Sequence, residues 1–225
     1  MIIQLLTLHT SKLQDLKEFY CKLLKFPLIE ELPSSFKIQI GESALQFIDG
    51  NNEQEPFYHF AFNIPANQFL EAKAWIKRKV PLLTEEGDDE IHFILSDAHS
   101  CYFEDPAGNI VELIARHKIN HSSNGEFSAN SIINISEIGL VVEDATEVGQ
   151  KLEEVAIRAR GDEKITNTSL SFMHTAKNGV YLLLVGEGRT WLFSNKTSTI
   201  FPLHIKLLNG IELAVDPLKQ FSIVK

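Results

Sequence analysis

The chain has 225 residues, of which 44% are hydrophobic and 23% charged, with a net charge of -9 and a pI near 5.4. This length suits one large domain or two small ones, and the acidic balance argues against a nucleic-acid or anionic-membrane partner, leaving Lys77, Arg78 and Lys79 as a solvated helix face. Cys21 and Cys101 make no disulfide framework, and the opening MIIQLLTLHT lacks the basic region of a signal peptide, so the expected setting is the cytoplasm.

Residues 2–9 read as a strand, after which Ser11 and Gln14 have the spacing of a capping box. The helix they open carries an apolar stripe of Leu13, Leu16, Tyr20, Leu23 and Leu24. Short strands are expected at 28–32, 36–40 and 44–48, divided by Pro33-Ser34-Ser35 and Gly41-Glu42-Ser43.

The same order then repeats. A strand at 57–64 precedes a helix at 67–80, which turns Phe69, Ala72, Ile76 and Val80 inward and stops at Pro81. Strands follow around 92–95, 100–104 and 109–115. Between the last two, Asp105-Pro106-Ala107-Gly108 fits a type I turn and makes them a hairpin.

Residues 118–131, KINHSSNGEFSANS, are polar and read as a linker. Beyond it come a strand at 135–142 and a helix opened by Asp144 and Glu147, with Val148, Leu152 and Val155 inward. SLSFMHT, GVYLLLV and TWLF read as strands, and 200–207 and 211–215 add two more. The expected class is α+β, with repeated βαβββ units forming curled mixed sheets. Two units fill residues 1–117, and residues 132–225 hold a degenerate third unit with extra strands.

The chemistry centres on Glu112, a carboxylate inside Ile110-Val111-Glu112-Leu113-Ile114. Such a group is costly to bury unless it is neutral, hydrogen-bonded, paired with a cation or bound to a metal. On the strand opening the second unit, Phe57, His59, Ala61 and Asn63 share one face, while Tyr58, Phe60, Phe62 and Ile64 take the face a helix would cover.

Duplicated βαβββ units, LKEFYCKLLKFPL after the first strand, YHFAFNIP opening the second unit and YFEDPAGNIVELIA closing it together resemble the vicinal oxygen chelate superfamily. That group includes glyoxalase I, extradiol ring-cleaving dioxygenases, methylmalonyl-CoA epimerase and the fosfomycin- and bleomycin-resistance proteins. The resemblance covers residues 1–117 and continues beyond 132 through element order and VYLLLVGEGRTWL. It implies a cup formed by two units, here the first two, with divalent-metal ligands on the first and last strands of each.

Carried onto this chain, the resemblance implies His59 and Glu112 as metal ligands and catalytic groups. The first unit offers Leu5 and Gln46 at the matching positions, so Gln46 lends at most an amide oxygen. His99, beside the hairpin strand, would complete a set of two histidines and one carboxylate. In the third unit the matching positions fall on Ile138 and about Leu182, which carry no ligand. The implied metal is Fe, Mn, Zn or Ni. His9 and Asn63 are candidates for the pocket rim, and Arg189 with Trp191 in GEGRTW for clamping an anionic or aromatic ligand. Solvent exposure for His9 and Asn63, and turn exposure or core packing for Arg189 and Trp191, are the simpler readings.

Three functions remain open. One is a metal-dependent enzyme of isomerase, lyase or oxygenase type acting on a small organic substrate. Another is a metal-free binding protein of the bleomycin-resistance type, in which His59 and Glu112 form a buried pair. In the third, residues from 132 onward serve homodimer formation.

Overall fold

In the computed structural model, which describes residues 1–50, 55–161, 164–175 and 178–224, the repeated units are present and a fourth, partial one follows them. The first unit comprises β1 (Ile3–Thr10), α1 (Leu13–Lys17), β2 (Leu28–Leu32), β3 (Ser35–Ile40) and β4 (Ser43–Asp49). The second comprises β5 (His59–Ile64), α2 (Phe69–Lys77), β6 (Ile91–Phe93), β7 (Ala98–Glu104) and β8 (Ile110–Arg116). The third comprises β9 (Asn134–Val141), α3 (Ala145–Glu154), β10 (Arg158–Ala159), β11 (Ser171–His174) and β12 (Tyr181–Val185). Strands β13 (Leu203–Leu207), β14 (Glu212–Val215) and β15 (Phe221–Val224) close the chain without a helix. No helix among the described residues is long and apolar enough to cross a membrane.

Local signals mostly hold where the side chain has a nearby backbone group to serve. Asp144 caps α3 by accepting hydrogen bonds from the Thr146 and Glu147 amides. Asp105 organises its turn by accepting from the Ala107 and Asn109 amides, while the Gly108 amide donates to the Asp105 carbonyl at 2.8 Å. Two local expectations are corrected. Ser11 does not cap α1: its hydroxyl donates to Glu55, and Thr10 accepts from the Lys12 amide instead. TWLF is not a strand but a turn that tucks Trp191 and Phe193 into the core. Past Lys17, α1 widens into a π-helical stretch, Glu18–Leu23, which buries Phe19 and Tyr20 and leaves Leu23 39% exposed.

The pairing of units also differs from the expected one. The first and second units do not share a cup. An eight-stranded sheet runs β10-β11-β12-β9-β5-β8-β7-β6, joining the second unit to the third. A seven-stranded sheet runs β15-β14-β13-β1-β4-β3-β2, joining the first unit to the closing strands. Each sheet is seamed by an antiparallel ladder between its units, β5 with β9 and β1 with β13.

Residues 118–131 explain how β9 reaches β5. They are not a free linker but a packed strap along α2. Asn67 exchanges hydrogen bonds with Ser123 at 2.9 Å each way, Gln68 donates to the Gly125 carbonyl, and Phe127 meets Trp75 edge to face. Asn63 then donates to Asn134 at the seam. The two sheets share one hydrophobic core. Across it, the buried Tyr20 hydroxyl donates to Asp105 at 2.8 Å.

The β3–β4 turn presses directly on the chain entering β9. Glu42 donates its amide to the Ile133 carbonyl, and Ser43 accepts from the Ile135 amide. Gly41, at φ 55°, sits so close that an added Cβ would lie 2.0 Å from the Ile133 carbonyl oxygen. Gly41→Ala is expected to cost about 2 kcal/mol or more, combining left-handed strain with that clash. Urea denaturation would show it, and an unchanged midpoint would contradict this account of the sheet junction.

Candidate metal centre

Strands β8, β5 and β9 lie side by side on the eight-stranded sheet, and each sends one polar group into its concave face. Register explains why. Ala61 pairs with both Glu112 and Glu137, and His59 lies two residues from Ala61, so all three side chains point the same way. His59, Glu112 and Glu137 are buried, and one ligand-capable atom of each lies within 4.8 Å of the others. The separation of His59 Nε2 from the nearer Glu112 oxygen is 3.6 Å.

His59 is held in a fixed orientation. Its Nδ1 lies 3.1 Å from the Ile110 carbonyl, a partner that can only accept, so Nδ1 carries the proton and Nε2 presents its lone pair to the carboxylates. Trp191 packs against the imidazole at 5.0 Å between centroids. The indole needs Gly139 beneath it, because a Cβ there would lie 2.9 Å from the ring. Tyr102 faces Glu112 across the hairpin and flanks the imidazole on another side.

The site is short of positive charge. Arg116 donates to Ser136 at 3.2 Å and to Glu137, and it is buried with them. A carboxylate has two oxygens, so this pairing is compatible with a place for Glu137 in the cluster. One guanidinium is in contact with the two carboxylates, through Glu137, and Arg189 acts on His59 from across the cavity. Burial, reinforced by the Glu137 charge, pushes the Glu112 carboxyl up to about 8, while the Ser100 and Tyr102 hydroxyls and Arg116 oppose the rise. Burial holds the His59 imidazole below its ordinary value, partly countered by Glu137 and the Ile110 carbonyl.

A cavity of about 1230 Å³ opens over this cluster and is lined by residues of the second and third units, by Ile119 of the segment between them and by the turn that follows β12. Of the sequence candidates, Arg189 and Trp191 line it together with His59 and Glu112. The others lie elsewhere. Gln46 and His9 sit on strands of the seven-stranded sheet, where Gln46 accepts from Thr7. His99 pairs opposite Ala115, three residues from Glu112, and therefore faces the α2 side, where it meets Phe69 and hydrogen-bonds His117. Asn63 is spent on Asn134 and the Gly179 carbonyl.

Sequence reasoning missed Glu137 and Arg116. Glu137 carried the same signal as Glu112, an acid within an apolar strand, in NISEIGLV. Choosing Ile138 shifted the register by one residue and so selected the wrong face. A bulge sits there: the β5–β9 pairing skips Ser136 between Ala61 and Phe62.

The raised Glu112 value gives a pH signature. In chelator-treated protein the unfolded chain releases this proton near 4.5, while the folded chain keeps it to about 8. Glu112 therefore stabilises the fold fully below that window, and its contribution is lost as pH rises through it. Glu112→Gln, with no proton to lose, is expected to gain stability relative to the parent as pH rises through the window. Urea midpoints measured from pH 5 to 9 test this, and parallel curves would refute it.

A family model described as toxoflavin-degrading enzyme matches residues 135–189, a stretch containing Glu137, Tyr181 and Arg189. Comparison with curated proteins gives no match. Among solved structures, a proposed dioxygenase from Bacillus subtilis has 17% sequence identity and a TM-score of 0.59, covering 82% of this chain and 64% of its own. A lactoylglutathione lyase from Agrobacterium tumefaciens, 22% identical, covers 49% of this chain and 90% of its own with a TM-score of 0.41. A fosfomycin resistance protein from Listeria monocytogenes, solved with Mn(II), is 22% identical and covers 51% and 89% with a TM-score of 0.40. The fold of this chain is the glyoxalase/bleomycin resistance/dioxygenase fold.

Proposed function

We propose that this chain is a divalent-metal-dependent enzyme that acts on a small organic substrate in the cavity between its second and third units. His59, Glu112 and Glu137 are the protein ligands in this reading. One observation carries it: the lone pair of a neutral, fixed imidazole faces two carboxylates within 4.8 Å, and among the described residues the ion pair with Arg116 serves Glu137 and not Glu112. Such an arrangement calls for a proton or a cation between its members.

The donor set suits the role. One imidazole and two carboxylates bind Fe, Mn, Zn or Ni through nitrogen and oxygen, and three protein ligands leave positions open for substrate oxygens. When bound, the metal supplies Lewis-acid polarisation of those oxygens. The chain does the rest. The Ile110 carbonyl and Trp191 fix the direction of His59 Nε2. Arg116 orients Glu137. Glu112, a carboxylate lining the cavity beside His59, is the group placed to take a proton from the substrate and return it. Isomerisation, elimination and oxygenation all begin from a substrate held this way, and the substrate decides between them. The expected setting is cytoplasmic, with no nucleic acid or membrane partner.

The test is metal analysis of purified protein beside His59→Ala, Glu112→Gln and Glu137→Gln. Stoichiometric metal is expected in the parent, with affinity falling tenfold or more, by about 1.4 kcal/mol or more, in each variant. Glu137→Gln is the sharpest of the three, because Glu137 separates this cup from one built on the first two units. A metal-free parent that still binds a ligand in the cavity would replace the enzyme with a binding protein.

A further inference from the structure

Away from the His59 cluster, the concave face carries a second set of groups with a different chemistry. Tyr181 pairs with Glu137 and Phe172 with Leu183, so both rings share the inward face of β12 and β11. They meet edge to face at 5.6 Å. The Arg116 guanidinium lies over Tyr181 at 5.1 Å, and the Arg160 guanidinium over Phe172 at 4.3 Å. His174, two residues beyond Phe172, packs against Tyr181. All five line the cavity.

Among the described residues, two polar atoms in this set have no partner. Arg116 is 3% exposed and uses its Nη2 on Ser136 and Glu137, yet its Nε is buried without an acceptor. His174 Nδ1 is likewise buried and unpartnered. Both atoms are closed off from the cavity as the side chains stand, so Arg116 acts on a ligand there through its charge and His174 through the part of its ring that lines the wall. Gly179 keeps the arginine in place, since a Cβ there would lie 2.8 Å from Arg116 Cδ.

We propose that this wall is an anion subsite that receives the carboxylate of a planar aromatic ligand, whose ring packs on Phe172 and Tyr181 while Arg160, Arg116 and His174 meet the charge. Guanidinium geometry favours a planar oxyanion, and stacked guanidinium–aromatic pairs favour a flat ring. The inference rests on reading the cavity as the ligand site and names the class of ligand. It does not depend on whether metal is bound.

Calorimetric titration of chelator-treated protein with 2-naphthoate and its neutral isostere 2-naphthamide tests it. The acid is expected to bind at least about tenfold more tightly than the amide, as for a charge-assisted contact. That preference should fall severalfold in Arg160→Gln, an exposed position whose substitution spares the core, and again in His174→Gln. Equal binding of acid and amide by the parent overturns the proposal, as does a preference unchanged in both variants or one present before chelation and absent after it. A parent that never holds metal but keeps the acid preference sustains the subsite while refuting the metal enzyme.

Discussion

The antiparallel ladder between β5 and β9 is the constraint on which the site depends. Without it the second unit offers an imidazole and one carboxylate, and the third offers a carboxylate with no partner. With it, three neighbouring strands put those groups on one face within 4.8 Å. The bulge at Ser136 supports both the geometry and the electrostatics. It brings Glu137 inward opposite Ala61, and the Ser136 hydroxyl accepts from Arg116 while donating to the Gly179 carbonyl. The arginine that balances Glu137 is thus anchored by the irregularity that aims Glu137.

The seven-stranded sheet shows what the same architecture does without such groups. Its β1–β4 ladder pairs Leu5 with Ala44 and Thr7 with Gln46, as β5–β8 pairs His59 with Ile110 and Ala61 with Glu112. The positions equivalent to His59 and Glu112 are therefore Leu5 and Gln46. Polar groups there satisfy one another: Thr7 with Gln46, and His204 and Lys206 with Glu212. Nothing in that sheet asks for an external cation. Its contribution is support, through Tyr20 on Asp105 and through Tyr58, whose hydroxyl donates to the Pro202 carbonyl.

This contrast also explains what the sequence could tell. Elements governed by neighbours in the chain were legible: the Asp105 turn, the Asp144 cap, the alternation of β5 and the repeated βαβββ order. Glu112 was legible as a buried acid because apolar flanks are a local property, while its pairing with His59 was implied by the resemblance, with which the parity of β5 agreed. Which unit completes the cup was not, since either edge of β5 accepts a strand and the choice lies in packed details of residues 118–131. The absence of ligands at Leu5 and Gln46 was therefore weighed against the wrong cup. His99 failed for a similar reason: hairpin register, which sequence left open, puts it on the helix side.

The remaining question is why His59 should be read as more than a histidine satisfied in the core. A core imidazole commonly settles by giving its proton to one acceptor and taking one from a donor. Here the first half is met by the Ile110 carbonyl, but the group facing Nε2 is a carboxylate, which offers a lone pair and no proton unless it is itself neutral. Trp191 and Tyr102, packed on two sides of the imidazole, lower the polarity around the pair and sharpen the conflict. The same burial and neighbouring Glu137 charge that drive Glu112 toward its neutral form strengthen attraction for any cation that displaces the proton. A pocket built only for stability has simpler solutions at these positions, and the other sheet uses them.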